Sequence, residues 1–125
     1  MHSPFFPSAR PRFVNRDQML ALARTMAVQI AARHAEVTRV LLFGSFARGD
    51  FSARSDLDLL IVLKSSSLPV TDRIGEFLTE CAAYPTDVFP LTEEELRERL
   101  EQGDRFWLRA VREAVDCTDA RRRAL

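Results

Sequence analysis

The 125-residue sequence predicts one α+β domain, built in layers like those of α/β proteins, in which helices cover a sheet. Helix-like and strand-like segments alternate along the chain in the order helix, strand, strand, helix, strand, helix, helix. The segment DLDLLIVLK is apolar almost without interruption after its first residues, which indicates a central strand covered on both faces. The length is that of a single compact domain.

The first half of the chain predicts a helix followed by two strands. Asn15 and Gln18 mark the start of a helix that runs to Arg33, with apolar residues repeating every three or four positions. Two segments have strand composition: TRVLLF, which is followed by Gly44, and DLDLLIVLK. The segment between them, FARGDFSARS, predicts a loop with one helical turn.

A second helix is expected to start at Thr71 and to stop before Pro85. Its apolar stripe consists of Ile74, Phe77, Leu78, Cys81 and Ala82. Because Cys81 lies on this stripe, we expect its thiol to be buried.

The last part of the chain predicts a strand and two helices. TDVFPL is the third strand, and Pro90 favours an edge position because proline cannot donate to a sheet ladder. Thr92 and Glu95 form a capping-box signature for a helix that Gly103 closes. Residues 106–115 predict a final short helix.

The ends of the chain differ in composition from the rest. Residues 1–13 predict an extended arm because three prolines interrupt them, and residues 118–125 predict a basic tail with three consecutive arginines. Residues 14–117 are therefore the predicted folded domain.

Composition disfavours several functional classes. Lysines plus arginines equal aspartates plus glutamates at 18 each, so the domain has no general attraction to a polyanion, and we expect no nucleic acid partner. No apolar run is long enough to cross a membrane. Cys81 and Cys117 lie far apart in the sequence, outside any CxxC spacing, which favours a reducing cytoplasm as the compartment.

The candidate chemistry lies at the ends of the predicted strands. Asp56 and Asp58 would share one side of the sheet, where their like charges repel unless a cation lies between them. Gly44 and Ser45 end the first strand in a turn whose backbone N–H groups can hold a phosphate. Asp87, in the third strand, could lie beside the pair. Each feature alone is common in surface turns, but together they suit metal-assisted phosphoryl transfer.

The stretch GSFARGDFSARSDLDL resembles the signature of the DNA polymerase β superfamily of nucleotidyltransferases, a Gly-Ser turn followed ten residues later by Asp-x-Asp. It is most similar to the minimal nucleotidyltransferases that are antitoxin partners of HEPN-domain toxins. The residues that match this pattern are Gly44, Ser45, Ala47, Arg48, Gly49, Ser55, Asp56, Asp58 and Leu59. Outside residues 40–63 the resemblance rests on the order of the elements and on Asp87.

The resemblance implies a small mixed sheet of three or four strands in order 1-2-3, flanked by helices. It also implies a magnesium-dependent enzyme that transfers a nucleoside monophosphate, AMP from ATP being expected, to a hydroxyl of a partner protein of the HEPN toxin type. The implied nucleotide-binding residues are Gly44, Ser45, Arg48 and Ser55. The implied catalytic and Mg²⁺-binding residues are Asp56, Asp58 and Asp87, of which Asp87 would activate the hydroxyl.

Two alternatives remain open at this point. The protein could be an antitoxin that silences its toxin by binding alone, or a small-molecule nucleotidyltransferase of the aminoglycoside type assembled as a dimer. Three intact carboxylates favour an enzyme, since a binding module does not need them. The acceptor, the nucleotide base and the oligomeric state, a homo-oligomer included, stay open.

Overall fold

The computed structural model describes residues 14–118, so the predicted arm and residues 119–125 of the predicted tail lie outside the described residues. The helices are α1 Arg16–Arg33, α2 Ser45–Arg48, α3 Val70–Arg73, α4 Glu93–Glu101 and α5 Arg105–Glu113. The strands are β1 Val37–Phe43, β2 Leu57–Leu63, β3 Thr86–Thr92 and β4 Val115–Asp116. Thr118, the first residue of the predicted tail, is buried.

The four strands form one mixed sheet in the order β3-β2-β1-β4. β1 pairs antiparallel with β2 and with β4, whereas β2 pairs parallel with β3. The expected mixed sheet with β1, β2 and β3 as consecutive neighbours is confirmed, and the short β4 extends it beside β1. β3 is an edge strand, as Pro90 predicts.

Helices cover both faces of this sheet, which confirms the interpretation of the central strand. α1 packs on one face, against a cluster that includes Leu57, Leu59 and Ile61 of β2. α4 and α5 pack on the other face, against a cluster that includes Leu60 and Val62. Because side chains alternate along a strand, Asp58, two positions before Leu60, faces the same side as Leu60, the side covered by α4 and α5.

The predicted helix caps are present. The Asn15 side chain accepts hydrogen bonds from the backbone N–H groups of Asp17 and Gln18, at 2.8 and 3.3 Å. Thr92 and Glu95 form both hydrogen bonds of a capping box at the start of α4. Gly103, with φ 76°, follows the end of that helix in the left-handed region that favours glycine.

The prediction of a regular helix that starts at Thr71 and stops before Pro85 is wrong. α3 begins after Pro69 and is only four residues long, and it continues as a 3₁₀ helix over Ile74–Phe77 and then as turns. Gly75 lies in the middle of this segment, where it weakens a helix by about 1 kcal/mol relative to alanine. Cys81 is nevertheless buried, as predicted.

An ion pair between the buried Arg73 and the partly exposed Glu95 holds this irregular segment in place. Arg73 is 3% exposed and donates to both carboxylate oxygens of Glu95, at 2.6 and 3.0 Å, and to the carbonyl of Leu68 at 2.8 Å. The Arg73 guanidinium lowers the pKa of Glu95 to about 2. Tertiary contacts of Arg73, which a helical pattern does not reveal, therefore fix the backbone here.

Within residues 14–118, none of the helices combines the length and apolar character that crossing a membrane would need. Cys81 and Cys117 are both free and buried. Burial raises the pKa of each thiol to about 11, so both are poor nucleophiles at neutral pH.

Candidate active site

The predicted carboxylates lie where the end of β1 meets the starts of β2 and β3. In the sheet register Asp58 is paired with Phe43 of β1 and with Asp87 of β3. Paired residues of neighbouring strands point to the same side, so Asp58 and Asp87 are neighbours on the α4–α5 face. Asp56 immediately precedes β2, two residues before Asp58.

The charges of the three carboxylates interact. Burial, followed by the negative charges of Asp87 and Asp56, raises the pKa of Asp58 to about 6. Arg48 acts in the opposite direction, but more weakly. At neutral pH the fold therefore holds a half-buried carboxylate close to two further acidic residues, which is an unfavourable arrangement in the absence of a cation.

The turn after β1 requires glycine for two reasons. Gly44 has φ 79° and ψ −155°, a backbone conformation that is almost restricted to glycine. A Cβ atom at this position would lie 2.3 Å from Oδ2 of Asp58. A residue without a side chain is therefore needed at position 44 because the Asp58 carboxylate lies so close.

The helical turn that follows Gly44 is held from outside by a residue that sequence reasoning missed. Arg16, at the start of α1, donates from Nε to the carbonyl of Phe46 at 3.0 Å and from Nη2 to the carbonyl of Ala47 at 2.9 Å. These carbonyls are at the end of α2, where helix backbone acceptors are otherwise unsatisfied. Arg16 thus fixes the position of the Gly44–Ser45 turn.

Ser55 belongs to the loop that leads into Asp56. Its Oγ accepts a hydrogen bond from the backbone N–H of Ser52 at 2.9 Å, and its carbonyl accepts one from the hydroxyl of Tyr84 at 3.1 Å. Phe51 of the same loop stacks on Phe46, with ring centroids 4.7 Å apart. These contacts anchor the loop, and the nucleotide-binding role expected for Ser55 stays a prediction.

A cleft of about 540 Å³ opens beside Asp58, a volume within the range of small-molecule sites. Four of the predicted site residues line it: Gly44, Ser45, Arg48 and Asp58. Asp56, Ser55 and Asp87 are not among its lining residues, although Asp87 is the register partner of Asp58. The remaining lining residues are one phenylalanine each from β1 and β3, Phe43 and Phe89, and five residues of α5: Arg105, Phe106, Arg109, Ala110 and Glu113.

Glu113 of α5 links two arginines at this cleft. It accepts hydrogen bonds from Nη1 of Arg48 at 3.0 Å and from Nε of Arg109 at 2.7 Å. Arg48 also donates from Nε to the carboxylate of Asp50, at 3.1 and 3.2 Å. The two arginines lower the pKa of Glu113, and the hydrogen bonds to Asp50 and Glu113 raise the pKa of Arg48.

Sequence reasoning missed the α5 side of the cleft. Arg48 and Glu113 are 65 positions apart, and no local motif connects them. One signal was available: Arg105, Arg109 and Glu113 recur at four-residue spacing, which places them on one face of a helix.

Within the described part of the chain, no group of three or more His, Cys, Asp or Glu side chains is arranged as a metal site. The carboxylates nevertheless fit a hard cation. They offer oxygen ligands only. Burial, followed by the charges of Asp87 and Asp56, raises the pKa of Asp58, and a bound cation would favour the ionised form again. Mg²⁺ is often held by one or two carboxylates together with substrate phosphates, so a closed protein cage is not needed.

Comparison with known proteins identifies the class to which this fold and site belong. The family model of the nucleotidyltransferase domain matches residues 25–117. The chain therefore belongs to the nucleotidyltransferase domain family.

Particular relatives agree with this assignment. A structure described as a putative nucleotidyltransferase from Sulfolobus solfataricus is 31% identical, with a TM-score of 0.57, and the match covers 66% of this chain and 75% of that one. A 29-residue segment is 55% identical to the putative protein adenylyltransferase MJ0141 of Methanocaldococcus jannaschii; it covers 23% of this chain and only 29% of the relative. A toxin–antitoxin structure with AMP-PNP matches at 15% identity and a TM-score of 0.45, over 83% of this chain and 73% of that chain, too low to support a shared partner.

We expect Gly44→Ala to destabilise the domain more than Gly49→Ala. Both glycines have positive φ, 79° and 94°, but only Gly44 would place a Cβ against Asp58, whereas nothing lies within 4 Å of a Cβ at Gly49. The difference in the free energy of unfolding should be at least about 1 kcal/mol. Urea denaturation of both variants measures it, and equal losses would contradict the close packing of Gly44 on Asp58.

We expect Asp58→Asn to stabilise the metal-free protein at pH 7.5. A folded-state pKa of about 6, above the ordinary 3.8, means that the contribution of Asp58 to stability is fully present below pH 3.8 and is lost as the pH rises through 6. Asparagine removes that loss, so the gain should be roughly 1–3 kcal/mol at pH 7.5 and close to zero near pH 4.

Urea denaturation in a chelating buffer at the two pH values checks this expectation. Asp72→Asn, which changes an exposed aspartate of α3, is the matched control and should have little effect at either pH. A destabilising effect of Asp58→Asn of the same size at both pH values would show that charge repulsion does not govern Asp58.

Proposed function

We propose that this chain is a magnesium-dependent nucleotidyltransferase that transfers AMP from ATP to a hydroxyl group of a partner protein. We further propose that this partner is a toxin of the HEPN type and that the chain is its antitoxin. The single observation that carries the enzymatic part is the register that pairs Asp58 with Asp87, next to the Gly44–Ser45 turn and at the cleft. Membership of the nucleotidyltransferase domain family supports the same reaction class.

The proposed reaction forms one bond to phosphorus and breaks another. The acceptor oxygen attacks the α-phosphorus of ATP, the bond to the oxygen that bridges to the β-phosphate breaks, and pyrophosphate leaves. Asp87 accepts the proton of the attacking hydroxyl and passes it to solvent. Asp87 is exposed, which suits a base that must reach a hydroxyl of another macromolecule.

The other site residues have binding and electrostatic roles in this proposal. The backbone N–H groups of the Gly44–Ser45 turn and the Arg48 guanidinium hold the triphosphate. Asp58 and Asp56 are the residues that would hold Mg²⁺, with Asp87 beside them. When bound, Mg²⁺ supplies positive charge that offsets the charge of the phosphates and of the leaving pyrophosphate.

The choice of AMP and of a protein acceptor rests on weaker support than the reaction class. The 55% identical segment belongs to a relative whose name states a protein adenylyltransferase, and only 29% of that relative is matched. The HEPN partner rests on the similarity of the Gly44–Leu59 signature to minimal nucleotidyltransferases. The open position of Asp87 at the end of the sheet accords with a macromolecular acceptor.

We expect Asp87→Asn to lower the rate of AMP transfer by roughly 10²–10⁴-fold while binding of magnesium-ATP is largely kept. Asparagine has nearly the same shape but does not accept the proton. The measurement is transfer of label from ATP labelled at the α-phosphate to a HEPN-type toxin protein, with calorimetric ATP affinity as the second readout. Asp72→Asn should behave like the wild type in both.

Two outcomes would contradict parts of the proposal. Labelling by Asp87→Asn at the wild-type rate would remove Asp87 from the catalytic site. A wild-type protein that transfers no label, yet still neutralises its partner, would show that the chain is an antitoxin that acts by binding.

A further inference from the structure

Helix α5 contributes an aromatic side chain to the cleft that the proposed reaction does not use. Phe106 is 55% exposed, although it is a large apolar residue in a well-packed part of the domain. It lines the same cleft as Gly44, Ser45 and Asp58. An exposed aromatic ring inside a cleft is the kind of surface on which a planar ligand binds.

The Phe106 ring is held in place by other aromatic rings. Its centroid lies 5.9 Å from that of Phe43 and 4.8 Å from that of Trp107, both nearly perpendicular to it, and 6.2 Å from that of Phe89. Trp107 and Phe43 are buried. Phe106 is therefore supported from the core while more than half of its surface stays accessible.

The sheet register connects this aromatic group to the carboxylates. Phe43 is the direct partner of Asp58, and Phe89 follows Asp87 by two positions, so both rings lie on the same face as the two aspartates. A nucleotide whose phosphates are held by the Gly44–Ser45 turn and Arg48 leaves its base to occupy the rest of the cleft. The apolar surface in that part of the cleft is formed mainly by the rings of Phe43, Phe89 and Phe106.

We propose that Phe106 is the residue on which the base of the nucleoside triphosphate stacks, and that it favours purines over pyrimidines because a purine offers the larger stacking surface. This inference rests on the proposed function, since it assigns the base-binding part of the same site. Arg105, which directly precedes Phe106, also lines the cleft, whereas Arg109 on the same helix is paired with Glu113 at 2.7 Å.

The test uses calorimetric affinities of the full chain, with Mg²⁺ present, for ATP and for inorganic tripolyphosphate, which lacks the base. Phe106→Ala should weaken ATP binding by roughly 5- to 150-fold, the range found when a stacking aromatic is replaced by alanine. Its affinity for tripolyphosphate should stay within about twofold of wild type. The preference of the wild type for ATP over CTP should shrink in the variant.

Three further variants and a fold check separate stacking from general damage. Phe106→Tyr keeps the ring and should bind ATP like wild type, whereas Phe106→Leu keeps apolar bulk without the ring and should resemble Phe106→Ala. Leu108→Ala changes an exposed apolar residue of α5, 43% exposed, that does not line the cleft, and should bind both ligands normally. Circular dichroism and urea denaturation confirm that each variant is folded.

The outcomes distinguish this inference from the proposed function. If wild type and Phe106→Ala bind ATP equally well, the stacking assignment is wrong and the proposed function stands. If Phe106→Ala weakens ATP and tripolyphosphate binding equally, Phe106 acts through the phosphate site and the assignment is also wrong. A wild-type chain that binds neither ligand would overturn both proposals.

Discussion

The contact between Gly44 and the carboxylate of Asp58 is the constraint on which the rest of the site depends. A Cβ at position 44 would come within 2.3 Å of Asp58 Oδ2. The backbone that follows β1 therefore lies against the Asp58 side chain of β2, with no space for a side chain between them. This packing brings the turn at Gly44–Ser45 to the carboxylate. The parallel pairing of β2 with β3 then adds Asp87 on the same face.

The apolar layers of the domain counter the electrostatic cost of this arrangement. Raising the pKa of a carboxyl to about 6 means that its ionised form is less stable in the fold than in water. Two apolar clusters, one on each face of the sheet, supply the stability that keeps the strand ends together. The domain thus maintains a local repulsion that a bound cation would relieve, and perturbed carboxyl groups of this kind are typical of binding and catalytic sites.

Sequence patterns indicated where the strand-end residues of the candidate site would lie, but not which residues of α1 and α5 contact its turn and its cleft. Strand periodicity, the Gly-Ser turn and the position of Asp87 are local signals, and strand neighbours follow from few topological choices. Arg16 and Glu113 act over long sequence separations, and nothing in their immediate neighbourhood indicates their partners. The expected helix after Thr71 is not formed for a related reason. The long-range pair between Arg73 and Glu95 and the weak helix propensity of Gly75 outweigh the helical pattern of apolar residues.

The carboxylates and the Gly44–Ser45 turn are proposed to form one site for a nucleotide and a divalent cation. Calorimetric titration of the full chain with ATP, in Mg²⁺ buffer and in a chelating buffer, tests it most directly. We expect clear binding with Mg²⁺ and an affinity at least about tenfold lower without it, a difference of about 1.4 kcal/mol. Equal ATP affinities with Mg²⁺ and with chelator would contradict it.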